Sequence, residues 1–167
     1  MEGEKAKVKI YIDGANIFYT QKKLGWSFDW VKIKKFIDEQ KEVIEWRYYV
    51  ATKEEDEKMA SYLKYLNVIG FSSFTKPLKK IKDGERIFYK ANFDVEMAID
   101  MITDKSRVDE IMLFSGDSDF RYLVKKLKDT GKRVTIISSK KTISWELKLE
   151  AAHIIYFEKI RETIERK

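Results

Sequence analysis

The sequence predicts an α/β fold of three layers, a central mainly parallel sheet with helices packed on both faces. Three observations carry this reading. Short β-branched and aromatic runs alternate along the chain with longer stretches of helical spacing. Val8–Ile12 is an apolar run that stops abruptly at Asp13-Gly14, the form of a buried strand and its exit loop. No internal repeat, low-complexity tract or linker interrupts the order, so residues 1–167 are expected to form a single domain.

The elements follow in order. Ile17, Phe18 and Leu24 mark a helix after the first strand, and Val31, Ile33, Phe36 and Ile37 fall at helical spacing over Trp30–Gln40. Val43–Ala51, rich in Val, Ile, Trp and Tyr, reads as a second strand. Met59, Tyr62, Leu63 and Leu66 form the apolar stripe of a helix over Glu54–Leu66. Gly70–Thr75 is a third strand, with the one proline, Pro77, just beyond it. Leu78–Tyr89 carries the turn signal Asp83-Gly84 between alternating flanks, which predicts an inserted basic β-hairpin. Asn92–Thr103 is a strongly apolar helix with Asn92 as its candidate N-cap. A strand at Glu110–Ser115, a helix at Ser118–Asp129 and a strand at Arg133–Ser138 come next. A helix near Ser144–Glu150, a short strand at Ile154–Phe157 and a charged helix complete the order.

Composition narrows the chemistry. With no Cys, disulfide frameworks, thiol nucleophiles and Cys-ligated zinc are excluded. His153 is the only histidine, so a metal-free mechanism built on a histidine pair is excluded as well. No apolar run is long enough to span a bilayer, and the charged start Met1–Lys9 is unlike a signal peptide. A cytoplasmic protein without membrane contact is expected. The net charge of +6, from 34 basic and 28 acidic side chains, suits a polyanionic partner. Its distribution says more: Lys76, Lys79, Lys80, Lys82, Arg86 and Lys90 crowd the hairpin segment, and Lys140 and Lys141 form a second pair. Exposed apolar surface would permit a homodimer, whose interface the sequence does not locate.

The carboxylates are the informative feature. In a parallel sheet the C-terminal ends of the strands share one edge, and ligands bind in the crevice there. The first strand delivers Asp13 to that edge, and the strand at Glu110–Ser115 delivers Ser115, Gly116, Asp117, Ser118 and Asp119. Each Asp alone has a plain alternative, an Asx turn at Asp13 or a helix cap at Ser118 or Asp119. Asp94 is harder to explain that way. On a helical wheel it falls among Met97, Ala98 and Met101, whereas Glu96 and Asp100 fall on the polar side. A carboxylate turned towards the sheet is costly unless paired, with Lys90 or with a divalent cation shared among the acids. Converging carboxylates repel, and a hard cation such as Mg²⁺ or Mn²⁺ relieves the repulsion.

Three segments together resemble the signature blocks of the NYN domain, a PIN-like ribonuclease family with a LabA-like branch. They are Tyr11-Ile12-Asp13-Gly14-Ala15-Asn16-Ile17, Lys90-Ala91-Asn92-Phe93-Asp94-Val95-Glu96 with Asp100, and Phe114-Ser115-Gly116-Asp117-Ser118-Asp119-Phe120. The resemblance covers almost the whole chain and implies a PIN-like α/β/α sandwich. It implies Asp13, Asp94, Asp117 and Asp119 as metal-binding and catalytic acids for Mg²⁺ or Mn²⁺. Asn16 would orient the site or touch phosphate, Ser115 would position a ligand, and Lys90 would contact the scissile phosphate or pair with Asp94. Asp100 matches a family position but is ranked below the others. The implied activity is metal-dependent hydrolysis of RNA, single-stranded and cut internally, leaving 5′-phosphate and 3′-hydroxyl ends. Lys79, Lys80, Lys82 and Arg86 of the hairpin would hold the RNA backbone, with Phe88 and Tyr89 available for stacking. Two positions depart from the pattern: Ala152-His153 stands where an Ala-Asp pair is expected, and Ala91 where Gly is frequent.

Other readings fare worse. A phosphatase of the haloacid dehalogenase type needs a second Asp two positions after the first, and that position is Ala15. P-loop nucleotide binding is excluded because no Gly-rich Lys-Ser/Thr loop occurs. The serious alternative is a non-catalytic RNA-binding or regulatory module that retains the pocket. Four converging acids that repel phosphate weigh against it.

Overall fold

A computed structural model describes residues 3–167. Its centre is a six-stranded parallel sheet of β1 (Lys7–Asp13), β2 (Glu42–Thr52), β3 (Phe71–Pro77), β6 (Glu110–Phe114), β7 (Arg133–Ser138) and β8 (His153–Tyr156). The strands lie in the order β3-β2-β1-β6-β7-β8. The chain therefore builds outward from β1 to one edge, then returns to β6 on the other side of β1 and builds to the opposite edge. The crevice between β1 and β6 is the place where such a sheet holds ligands.

The pleat gives the central strands β1, β6 and β7 two buried faces. Val8, Ile10 and Ile12 of β1, with Met112 and Phe114 of β6, enter one core, against helices α1 (Gly14–Leu24), α2 (Trp30–Asp38) and α3 (Glu57–Val68). Tyr11, Ile111 and Leu113 enter the other, against α4 (Asp94–Thr103), α5 (Arg121–Asp129) and α6 (Trp145–Glu150). A last short helix, α7 (Arg161–Ile164), packs on α2 in the first layer. The layers are those of a PIN-like α/β/α sandwich. Among the described residues, no helix is long and apolar enough to cross a membrane.

Side-chain caps start most of the longer helices. Asp29 accepts from the Lys32 N–H (3.2 Å), Asp56 from Met59 (3.1 Å) and Ser144 from Leu147 (3.2 Å). The expected cap at Asn92 does not form. Helix α4 begins two residues later at Asp94, after Phe93, with no side-chain cap. Phe93 is buried against Tyr49, with ring centroids 5.6 Å apart, and this anchor sets the entry of the chain. Two of the apolar residues that mark the helices in the sequence face outward: Phe18 is 61% exposed and Val31 51% exposed. Ile17 on α1, and Ile33 and Ile37 on α2, supply the burial.

The inserted hairpin pairs β4 (Lys79–Asp83) with β5 (Arg86–Lys90). The turn residues are Gly84-Glu85, one position beyond the dipeptide signal, because Asp83 pairs with Arg86. Gly84 has φ +60°, which a two-residue hairpin turn demands of its first position.

Candidate metal centre

Asp13 ends β1 and caps α1. Its Oδ1 accepts from the Asn16 N–H (3.2 Å), and its Oδ2 accepts from the Ser115 hydroxyl (3.1 Å). Ser115 is fully buried, and its Oγ also accepts from the Asp117 N–H (3.2 Å). One hydroxyl thus sets the spacing of two acids. Asn16 Oδ1 accepts from the Gly116 N–H (3.1 Å), which ties the start of α1 to the loop after β6. Asp117 then caps a single 3-10 turn, its Oδ1 accepting from the Asp119 N–H (2.9 Å).

Helix α4 brings the third acid from the opposite layer. Asp13, Asp94 and Asp117 each offer a carboxylate oxygen within 4.8 Å of the others. Asp119 is exposed and lies outside this triad, but its carboxyl interacts with that of Asp94. Burial, the charges of Asp117 and Asp13, and the contact with Asp119 push the Asp94 carboxyl up to about 7. Burial also raises Asp13, against the hydrogen bonds from Asn16 and Ser115 that stabilise its charged form. An apo cluster of this kind is electrostatically unfavourable. A cation bonding oxygens at about 2.1 Å holds opposite ligands about 4.2 Å apart, inside the 4.8 Å that bounds the triad's oxygens. Oxygen-only, anionic donors fit Mg²⁺ or Mn²⁺ and not a thiophilic metal.

The remaining residues expected at the site are spread around it. Among the described residues no ion pair within 4 Å joins Lys90 to Asp94. Asp100 keeps 36% of its side chain exposed, in line with the polar side of the helical wheel, yet its carboxylate is not left to solvent alone. It accepts from the Tyr49 hydroxyl (2.7 Å) and from Arg47 Nη2 (3.2 Å) on β2, and so fastens α4 to the sheet. The wheel places residues relative to the helix axis and carries no knowledge of a long side chain reaching across from a neighbouring strand. The hairpin divides its cations between two faces. Directly opposed pairs share a face, so Lys80 and Lys82 stand with Ile87 and Tyr89. Lys79, Arg86 and Lys90 stand on the other side with Phe88. His153 is exposed at the start of the edge strand β8, remote from the strand ends that carry the acids.

Two glycines matter in a way the motifs did not state. A Cβ on Gly14 would lie 2.5 Å from the Tyr49 carbonyl oxygen and 2.9 Å from the Tyr48 ring. A Cβ on Gly116 would lie 2.5 Å from the Thr142 carbonyl oxygen and 2.8 Å from the Ile143 Cα. Both obstacles include backbone, which cannot rotate aside. Gly116→Ala is therefore expected to cost about 2 kcal/mol, the range of overpacked sites. Thermal unfolding should show a drop of roughly 4–8 °C. An unchanged melting temperature would mean that the loop yields freely and does not fix Asp117.

Fold and site together define a PIN-like domain whose carboxylate cluster lies at the switch point of a parallel sheet. The NYN domain family model matches residues 7–160. The chain is 32% identical over 166 residues to the "Low amplitude and bright protein LabA" of Synechococcus elongatus, covering 96% of this chain and 89% of that one. A crystal structure of a protein of unknown function from Vibrio parahaemolyticus superposes with a TM-score of 0.82 at 25% identity, covering 99% of each chain. The chain belongs to the NYN domain family, together with LabA-like proteins, within the PIN-like nuclease superfamily.

Proposed function

We propose that this protein is a metal-dependent endoribonuclease whose single domain, residues 1–167, cuts single-stranded RNA at the acidic crevice. The observation that carries the reading is the convergence of Asp13, Asp94 and Asp117 from three elements and two layers, at a cost that a cation would remove. A domain that only bound RNA would gain nothing from carboxylates facing phosphate. A divalent cation held there would supply Lewis acidity, polarising the phosphate and acidifying a water.

The chain's own residues would do the rest. Asp13, Asp94 and Asp117 hold the ion, and Asp119 stands beside Asp94 as an outer acid. Ser115 sets the separation of Asp13 from Asp117, and its hydrogen bond favours the charged form of Asp13 against the burial that raises it. Asn16 fixes the loop that carries Asp117. Lys79, Lys80, Lys82, Arg86 and Lys90 hold RNA phosphates on the two faces of the hairpin, which runs directly into α4 and Asp94. Asp100 positions α4 through Arg47 and Tyr49.

Labelled single-stranded RNA, incubated with the protein in Mg²⁺, Mn²⁺ or EDTA, tests the reading beside an Asp117→Asn variant. Internal cleavage with either metal, absent in EDTA and lost in the variant, is expected. Equal inactivity of both proteins in every metal, with RNA bound alike, would favour the non-catalytic module.

A further inference from the structure

The nuclease reading leaves unused one exposed surface on α1 and the loop after β7, whereas the hairpin follows β3 at the other edge of the sheet. Helix α1 starts at Asp13, and its outward face carries Phe18 and Tyr19, 61% and 51% exposed. They lie five and six residues beyond Asp13, about 7.5 and 9 Å along the helix axis from the acid cluster. Lys22 Nζ sits 4.6 Å from the Phe18 ring centre and Lys23 Nζ 5.4 Å from that of Tyr19. The loop after β7 continues the surface. Lys141 Nζ donates to the Lys23 carbonyl oxygen (3.5 Å), and the Thr20 and Thr142 hydroxyls are 2.9 Å apart.

Among the described residues, none of Lys22, Lys23, Lys140 and Lys141 has a carboxylate partner within 4 Å. The nearby acid Glu158 accepts from the Ser139 hydroxyl and the Lys140 backbone N–H. Lysines in a last helical turn favour the helix dipole, which is a sufficient account of Lys22 and Lys23 alone. It does not account for two aromatic rings left in water beside them, nor for Lys141, brought to Lys23 by a separate loop, with Lys140 next to it in the chain and its Nζ 5.6 Å from the Tyr156 ring centre.

We infer that Phe18, Tyr19, Lys22, Lys23, Lys140 and Lys141 form a second strand-holding surface, which binds the single-stranded RNA that leaves the acidic crevice on the side away from the hairpin. The inference rests on the proposed nuclease reading for its substrate and extends it to a track on both sides of the cut. Each ring has a lysine beside it and is more than half exposed, so a base can stack on it, an arrangement that accepts any base and therefore needs no sequence. The four ammonium groups match a chain of phosphates and oppose the negative field of the acids. A track on both sides would hold the scissile phosphate at the cluster and suit internal cleavage.

The test is a titration of fluorescein-labelled oligouridylate followed by anisotropy at several salt concentrations, in EDTA so that no turnover intervenes. Phe18→Ala combined with Tyr19→Ala is expected to weaken binding roughly tenfold or more with the salt slope retained. Phe18→Trp combined with Tyr19→Trp should restore it. Replacing all four lysines with Gln should flatten the log–log salt slope by roughly 2–3, at about 0.7 per lost phosphate contact. All six positions are exposed, so melting temperatures should stay near that of wild type. Binding and salt slope unchanged in both variant sets would overturn the inference and leave the surface to a protein partner. Loss of binding in these variants, with no cleavage by wild type in any metal, would sink the nuclease reading alone. Intact cleavage with binding indifferent to the surface would sink this inference alone.

Discussion

Asp94→Asn is expected to abolish metal-dependent cleavage while raising the melting temperature of the metal-free protein. A structural carboxylate lost from a fold lowers stability; a functional one held in an unfavourable place does the reverse. Asp94 is half-buried, and burial together with Asp117, Asp13 and Asp119 pushes it up to about 7. A carboxyl raised in the fold stabilises the native state only while protonated. The native state therefore loses stability as pH rises through the interval from the ordinary carboxylate value to about 7. Asn is neutral throughout. Allowing for solvent screening at this partly exposed site, the gain is about 1 kcal/mol, or roughly 2–4 °C at pH 8, and it should vanish near pH 4. Wild-type affinity for Mn²⁺ should fall roughly tenfold per pH unit below 7, because the proton must leave before the ion binds. Losing one ligand removes several kcal/mol of charge stabilisation, so cleavage should drop about 10³-fold. Calorimetric Mn²⁺ titrations and thermal scans across pH 4–8 measure both halves. A lowered melting temperature, or retained cleavage, would make Asp94 a structural residue.

The second large effect lies away from the acids. Asp104, just beyond α4, accepts from Lys9 on β1, from the Tyr11 hydroxyl (2.8 Å) and from the Ser106 N–H (2.6 Å). The Lys9 and Asp104 side chains are 9% and 6% exposed. Burial works to raise the Asp104 carboxyl, but these donors outweigh it and hold the group well below the usual carboxylate range. Asp104→Ala would leave a buried ammonium with only Glu45, 3.2 Å away, and a buried phenol with no acceptor. Breaking a buried pair on one side costs about 3 kcal/mol or more, so urea unfolding at pH 7 should show a loss of that size. The sign with pH is opposite to that of Asp94. A depressed carboxyl contributes its stability above the unfolded value and loses it as pH falls towards the folded one. The gap between wild type and variant should thus be full at pH 7 and shrink below pH 4. A gap that is small, or independent of pH, would show that Glu45 and water compensate for the lost carboxylate.

Much was legible in the sequence because it depends on local pattern. Val8–Ile12 ending at Asp13-Gly14 reads as strand and loop from five apolar-rich residues, and β1 indeed runs Lys7–Asp13. The alternation of strands and helices predicts parallel pairing, and all six central strands are parallel. Asp94 was drawn towards the sheet by its position among Met97, Ala98 and Met101, which are the buried and partly buried residues of α4. The three motif blocks carry the family because each preserves a run of side chains rather than a composition. The turn at Asp83-Gly84 was placed one residue early, since a glycine marks where positive φ is tolerated and not which residues pair across the hairpin.

What the sequence by itself determined was the fold class, a consequence of periodicity and short-range order, and the family, through the resemblance of three motif blocks that also nominated the acids. The tertiary structure decided the rest: the strand order that sets β1 beside β6, the Ser115 hydroxyl shared by Asp13 and Asp117, and the closure of Asp94 onto both. It also turned Asp100 to Arg47 and Tyr49, and brought Lys141 to α1 across 118 residues of sequence. The physical reason is that helical and strand spacing fix only which face a residue takes on its own element. Which faces meet, and whether the charges on them pair, repel or await a cation, is settled when the layers pack.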